Sequence, residues 1–329
     1  GTNGNVTLVN DAGLAFAAAT VDGTLSATAT TGDISDSGTQ TITGAATYIT
    51  RAAGSNIILD DSANTYAAQV TFKADTGGNE TFGNLTFVDT GGIKLDEDAN
   101  AAGDLFIDGS TDGAVGGNLT LTSVTGNVTQ GVALAVTGTT TVTTSADNAT
   151  ITLGTSTNAF TGAITLTTND ASGTDADVTI DGGTMALVIA ASTVDGDLTL
   201  TSGNVAGITD SGTLTIGGNL SATTDANAGV VTLDTLAVDG SIVLATNSTG
   251  NATVSNDAGL EFAASTVGGA LSATAVTGNI IDSGALTIAG TSAFITSAND
   301  ATIALDTTTN AFTGAISTTS TDTDTGDQE

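Results

Sequence analysis

Cysteine, proline, histidine and tryptophan are all absent from this chain, and of its 329 residues only Arg51, Lys73 and Lys94 are basic. Without cysteine there is no disulfide, no thiol nucleophile and no thiolate metal site. Without histidine, acid–base chemistry would rest on carboxylates almost alone. Aromatic residues make up 3% of the chain, so a broad globular core anchored on large rings is not expected. The three basic residues face 35 acidic ones, a net charge of −32. That charge repels phosphate backbones and excludes nucleic acid as a partner. Long apolar runs are missing too. The longest runs from Met185 to Ala191, far short of the roughly 20 residues of a membrane helix, and no membrane span is expected. The opening residues, Gly1-Thr2-Asn3-Gly4, show neither the basic nor the apolar region of a secretion signal.

What is present is small and polar or small and aliphatic. Glycine occurs 43 times, and threonine, alanine, asparagine and aspartate are abundant. A hydrophobic content of 39% and a mean hydropathy of +0.24 oppose disorder, which is the state of chains with too little apolar surface to bury. Self-repulsion at this charge keeps a chain soluble but works against compaction unless salt or bound cations screen it. An extracellular or cell-surface location, saline or rich in calcium, is therefore expected.

The chain also repeats itself. Asn10-Asp11-Ala12-Gly13-Leu14 returns as Asn256-Asp257-Ala258-Gly259-Leu260, 246 positions later, and about half of the next seventy or so residues match. Asn158-Ala159-Phe160-Thr161-Gly162-Ala163-Ile164 recurs unchanged from Asn310 to Ile316, with a looser form at Asn64-Thr65-Tyr66. Asp-Ser-Gly begins at positions 36, 210 and 282. These anchors predict a single continuous array over 1–329, built of four imperfect modules at approximately 1–94, 95–173, 174–246 and 247–329.

Inside the modules the period is two. Leu119 and Leu121, Leu198 and Leu200, and Leu214 and Ile216 alternate with threonine, the pattern of a strand with one buried face. Threonine suits the other face because its β-branch favours extended backbone and its hydroxyl accepts water. The run Phe16-Ala17-Ala18-Ala19 reads as a buried strand. Gly-Asn, Asp-Gly and Asn-Asp pairs mark turns, and comparable strands return after about 18 to 24 residues, the length of one coil of a three-sided solenoid. The fold expected is all-β, a parallel β-helix of about 16 coils of roughly 20 residues. Tandem Ig-like β-sandwiches are the alternative, but they normally carry core aromatics and longer domains.

Gly117-Asn118-Leu119-Thr120-Leu121-Thr122, Gly196-Asp197-Leu198-Thr199-Leu200 and Ile208-Thr209-Asp210-Ser211-Gly212-Thr213-Leu214-Thr215-Ile216-Gly217-Gly218-Asn219-Leu220 together resemble the shaft repeats of filamentous haemagglutinin-like exoproteins and related bacterial surface adhesins. The resemblance implies a right-handed parallel β-helix that holds adhesive regions away from a cell. The amino-terminal secretion domain of that family has no counterpart here.

No cofactor is required by these patterns. Calcium is the one they accommodate, because Asp96, Asp98 and Asn100 place oxygen ligands at alternate positions, as an EF-hand loop opens. Ala101 stands where that loop needs glycine and Ile107 where it needs glutamate, so a solvated acidic turn is the plainer reading. Asp322-Thr323-Asp324 is a second acidic stretch of the same kind. Asp60-Asp61 is the closest carboxylate pair, and neighbours on a strand point to opposite faces. No catalytic residue is identified, and the chain is not expected to be an enzyme. Asn-x-Thr/Ser triplets begin at Asn5, Asn79, Asn84, Asn118, Asn127, Asn148, Asn219, Asn247 and Asn251, where turn chemistry competes with glycosylation. The expected function is a structural fibre or adhesin shaft that self-associates end to end. A calcium-dependent carbohydrate or cell-surface binding module is the second reading, and a polysaccharide-acting or ice-binding solenoid ranks below both.

Overall fold

The computed structural model describes residues 4–77, 81–96, 104–109, 112–171 and 175–321. Among them there is no helix, and the strand pairs are parallel. The chain is a β-solenoid of about 14 turns. It divides into two compact units, Gly1–Ser172 and Gly173–Glu329. The parallel ladders exclude the sandwich alternative, whose sheets are antiparallel. The turn count falls below sixteen because turns run longer than twenty residues. Val6 pairs with Leu25, 19 positions on, but Leu85 pairs with Leu119, 34 positions on.

Most turns begin with a strand of about five residues, then two short strands with sharp corners between. In the first unit the opening turn is Val6–Asn10, Leu14–Phe16 and Ala19–Val21. Leu25–Ala29, Ala46–Thr50 and Val70–Ala74 continue the long face beneath Val6–Asn10, in register throughout. Alternation sets what is buried. Leu119 and Leu121 point inward at 1% and 0% exposure, while Thr120 and Thr122 face out. Ala17 and Ala18 form an exposed corner after Leu14–Phe16, so that alanine run is not a buried strand. Alanine shortens the corner, and its exposure costs little.

The core is narrow, yet it takes rings. Tyr48, Phe72, Phe82, Phe87, Phe160, Phe262 and Phe294 are all buried. Tyr48 and Phe294 are each matched by a small neighbour: Tyr48 lies beneath Ala27 and Phe294 beneath Ala273. Alternating large and small residues lets successive layers interdigitate without voids. In the first unit Tyr48 contacts Phe16, Tyr66 and Phe72 edge-on, with centroids 6.1 to 6.5 Å apart. The Tyr48 and Tyr66 hydroxyls, 3.2 Å apart, satisfy each other inside this cluster. Burial pushes both phenols well above their ordinary range.

The corners are held by backbone glycines and side-chain amides. Gly138 N–H donates to the Gly117 carbonyl and Gly117 N–H to the Gly83 carbonyl. One residue on, Asn84 Oδ1 accepts from Asn118 N–H and Asn118 Oδ1 accepts from Thr139 N–H, both at 2.9 Å. Asp177, Asp197 and Asn219 form the same ladder in the second unit. Asparagine and aspartate interchange here because each supplies the acceptor oxygen that the backbone N–H needs.

The long strand changes face halfway through each unit. After Val70–Ala74 the next strand, Leu85–Asp89, is again long, but it stacks under the short strand Ile57–Leu59. Leu119–Ser123, Thr140–Asp147 and Ile164–Asn169 then continue the long strands on that second face. In the second unit Ile242–Thr246 ends one run of long strands, and Ala252–Asn256 starts the other beneath Val231–Val238. The short strands Leu260–Phe262 and Ser265–Val267 move under Ile242–Thr246, pairing Ile242 with Phe262 and Ala245 with Thr266. The first unit carries one further irregularity. Asp104–Asp108 lies between Val70–Ala74 and Ile93–Leu95, out of chain order.

Candidate functional site

Of the residues singled out for calcium, only Asp96 lies among the described residues. Asp96 is ion-paired with Lys94, which supplies the positive charge that a cation would bring. Asp98 and Asn100 lie outside the described residues, as does the stretch from Asp322. Among the described residues no cluster of three or more acidic side chains is placed to hold a metal. Asp108 is paired with Lys73 and Asp75 with Arg51, so each of the three basic residues has an aspartate partner. Asp61 caps a turn, its Oδ1 accepting from Ala63 N–H and from the Thr39 hydroxyl.

The recurrent asparagines have structural employment. Asn64, Asn158 and Asn310 each accept a backbone N–H from the coil before, from Gln40, Leu134 and Leu286 at 2.7 to 2.8 Å. Asn64 and Asn310 then donate to Asp36 and Asp282, the aspartates of the Asp-Ser-Gly turns. In the second module Gln130 takes the aspartate's place and accepts from Asn158 at 3.1 Å. Of the Asn-x-Thr/Ser triplets, Asn5, Asn84, Asn118, Asn127, Asn219 and Asn251 accept backbone N–H groups from the following coil. Asn148 takes a positive φ in a turn, and Asn247 donates to the Asp225 carbonyl. Asn79 lies outside the described residues.

Two surface clefts lie at comparable places in the two units. Each lies beside the turn that follows the first long strand after the change of face. In the first unit a cleft of about 340 Å³ is lined by Thr65, Tyr66, Asp89, Thr90, Gly91 and Thr125. In the second unit a cleft of about 270 Å³ is lined by Val238, Asp239, Leu260, Glu261, Asn279 and Ile281, among others. The strand-end residue is Asp89 in one and Asn256 in the other, and each accepts the backbone N–H of the residue above, Tyr66 or Val238. Sequence reasoning missed both clefts. The signal was the spacing of the long strands: Ile242 and Ala252 start 10 positions apart and Val70 and Leu85 15 apart, against 19 or more within a run.

The first cleft is hydroxyl-rich with a buried carboxylate at its floor. Thr65 and Thr90 hydroxyls are 2.8 Å apart, and the Thr125 hydroxyl donates to the Thr90 carbonyl. Asp89 is 1% exposed, and burial pushes its carboxyl above the usual carboxylate range, partly offset by N–H groups of Tyr66, Gly91 and Thr90. Asp36 is raised for the same reason. The folded chain therefore binds these protons more readily than the unfolded chain. Stability contributed this way is full below the ordinary value of 3.8 and is lost as pH rises through the raised folded values. Asp89→Asn, which installs the residue found at 256, is expected to stabilise the first unit at pH 7, with the gain shrinking toward pH 4. Urea melts across that range test it, and an Asn variant weaker at pH 7 would show that the carboxylate's hydrogen bonds outweigh its burial.

These two changes of face cut each unit into two similar pieces of about three and a half turns. Those pieces coincide with a known repeat, described as repeats of unknown function (DUF5649), which matches residues 3–73, 83–167, 175–246 and 249–319. The chain belongs to the DUF5649 family. No curated protein and no solved structure matches it. The first and last DUF5649 repeats here are three triplets of long, short and short strands plus a fourth long strand; the second adds Asp104–Asp108, and in the third Val231–Val238 replaces two short strands. The 246-residue echo thus joins the leading repeat of the first unit to the trailing repeat of the second.

Proposed function

We propose that this chain is a structural segment of an extracellular fibre or adhesin shaft, extended by stacking further repeats of the same kind on its terminal coils. The observation that carries this reading is a difference in burial between equivalent positions. Leu8 is 38% exposed, whereas Val254, its counterpart 246 positions on, is 1% exposed beneath the preceding repeat. Ile316 is 51% exposed, whereas Ile242, the corresponding first residue of a fourth long strand, is 1% exposed. Inward-facing aliphatic positions at both stack ends are shaped for a covering coil, and open rows of strand N–H and C=O groups accompany them. A second copy of this chain, or more repeats of a longer polypeptide, supplies that coil. The absence of helices among the described residues, the acidic composition and the turn chemistry fit a solvated extracellular repeat protein, and the likeness to haemagglutinin-type shafts belongs to the same reading.

Gly4 provides the test. A Cβ at Gly23 would strike Gly4 backbone in the coil above, but a Cβ at Gly4 meets nothing within 4 Å. Gly4→Val is therefore expected to leave the fold intact while blocking an incoming coil. Electron microscopy of the wild-type chain at rising concentration should show particles that lengthen, and Gly4→Val should hold them at the length of the single chain. Single-length particles for the wild type at every concentration would refute stacking between copies.

A further inference from the structure

We infer that the cleft of the second unit binds a segment of a partner protein in which a lysine or arginine lies beside an aliphatic side chain. Three observations meet there. Ile281 is 39% exposed, one of few large aliphatic side chains on the surface among the described residues, and it lines the cleft. Glu261 stands directly above Ile281 in the strand register, and Asp239 lies on the rim. Residues 173–329 contain no lysine, arginine or histidine, so the positive charge that these carboxylates attract must come from another molecule.

The first unit shows that the fold does not require this chemistry. At the equivalent positions it carries Lys94 for Glu261 and Thr129 for Ile281, aligned through the shared Gly-Asn strand starts. Lys94 there is paired with Asp96 of its own unit. An apolar side chain left in water beside an unneutralised carboxylate has no structural return in the second unit. It is the pairing that a basic, aliphatic peptide would complete: the ammonium on Glu261 and Asp239, the aliphatic neighbour on Ile281. Burying one aliphatic contact gives selectivity, and the acidic rim gives rapid encounter.

The test uses the full chain and two labelled heptapeptides of equal charge, one alternating lysine with leucine and one alternating lysine with serine. Fluorescence anisotropy at about 0.15 M salt suppresses long-range attraction. The leucine peptide is expected to bind at a stoichiometry of one and about tenfold more tightly than the serine peptide. Glu261→Lys and Ile281→Thr, which install the first unit's own residues, should each abolish that preference while leaving the melting curve unchanged. Equal affinity for the two peptides would mean general attraction to an acidic surface and would overturn the assignment. A preference that survives Ile281→Thr, or no binding by the wild type, would overturn it as well.

Discussion

Gly138→Ala is expected to unfold the second repeat of the first unit, at a cost of about 4 kcal/mol or more, comparable to the whole stability of many domains. The reason is proximity and not backbone freedom, for Gly138 does not carry a positive φ. A Cβ at this position would lie 2.5 Å from the Gly117 carbonyl oxygen and would crowd the Asn118 side-chain oxygen. Both atoms accept hydrogen bonds that join coil to coil, from Gly138 N–H and Thr139 N–H at 2.9 Å. Neither is free to retreat. The methyl must therefore push two coils apart and break the corner ladder on which every later turn is registered. The same substitution at Gly4, which holds the corresponding place at the open end of the stack, meets open space and should change stability by less than about 0.5 kcal/mol. Urea denaturation followed by far-ultraviolet circular dichroism separates the two. Equal midpoints for Gly138→Ala and the parent would mean that the coils are not stacked as closely as described.

This contrast also shows what was readable in the residues and what was not. The alternation of leucine with threonine at 119–122 and 198–201 is a local property, and it specified strands, their inward faces and a stacked parallel architecture. Glycine-asparagine pairs marked the corners for the same reason, because a corner needs close approach and a side-chain acceptor within a few residues. The change of face was hidden, because a long strand looks alike whether it stacks on another long strand or on a short one. Leu85–Asp89 and Leu119–Ser123 both bury their first, third and fifth residues, yet only the first lies under a short strand. The turn count was overestimated because third turns and the segment around Asp104–Asp108 add residues outside the ladders. That strand's insertion between Val70–Ala74 and Ile93–Leu95 reverses chain order, and no local pattern encodes such a reversal. The clefts follow from the change of face and were lost with it. The ion pair of Asp96 with Lys94 joins residues two apart on the chain, a pairing that the spacing of oxygen ligands did not consider.

The second large effect concerns the join between one repeat stack and the next, and the second unit supplies its template. There the fourth long strand of one repeat lies over the two short strands of the next, with Ile242 against Phe262 and Ala245 against Thr266. Ile316 and Thr319 occupy the places of Ile242 and Ala245 in the last repeat, and Phe16 and Thr20 occupy those of Phe262 and Thr266 in the first. A second copy stacked by the same rule sets Thr319 of one chain beside Thr20 of the other, at the spacing of neighbouring strands, about 4.8 Å. That separation is within the reach of a disulfide. Because the chain has no cysteine of its own, one engineered residue per copy gives an unambiguous signal. Differently tagged copies carrying Thr319→Cys and Thr20→Cys should form a disulfide-linked heterodimer as the main product of mild oxidation. Thr319→Cys with Thr193→Cys, an outward position within a stack, should not. A shaft segment that stacks in register predicts the first pair and not the second; equal yields from both pairs, or no heterodimer from either, would contradict it.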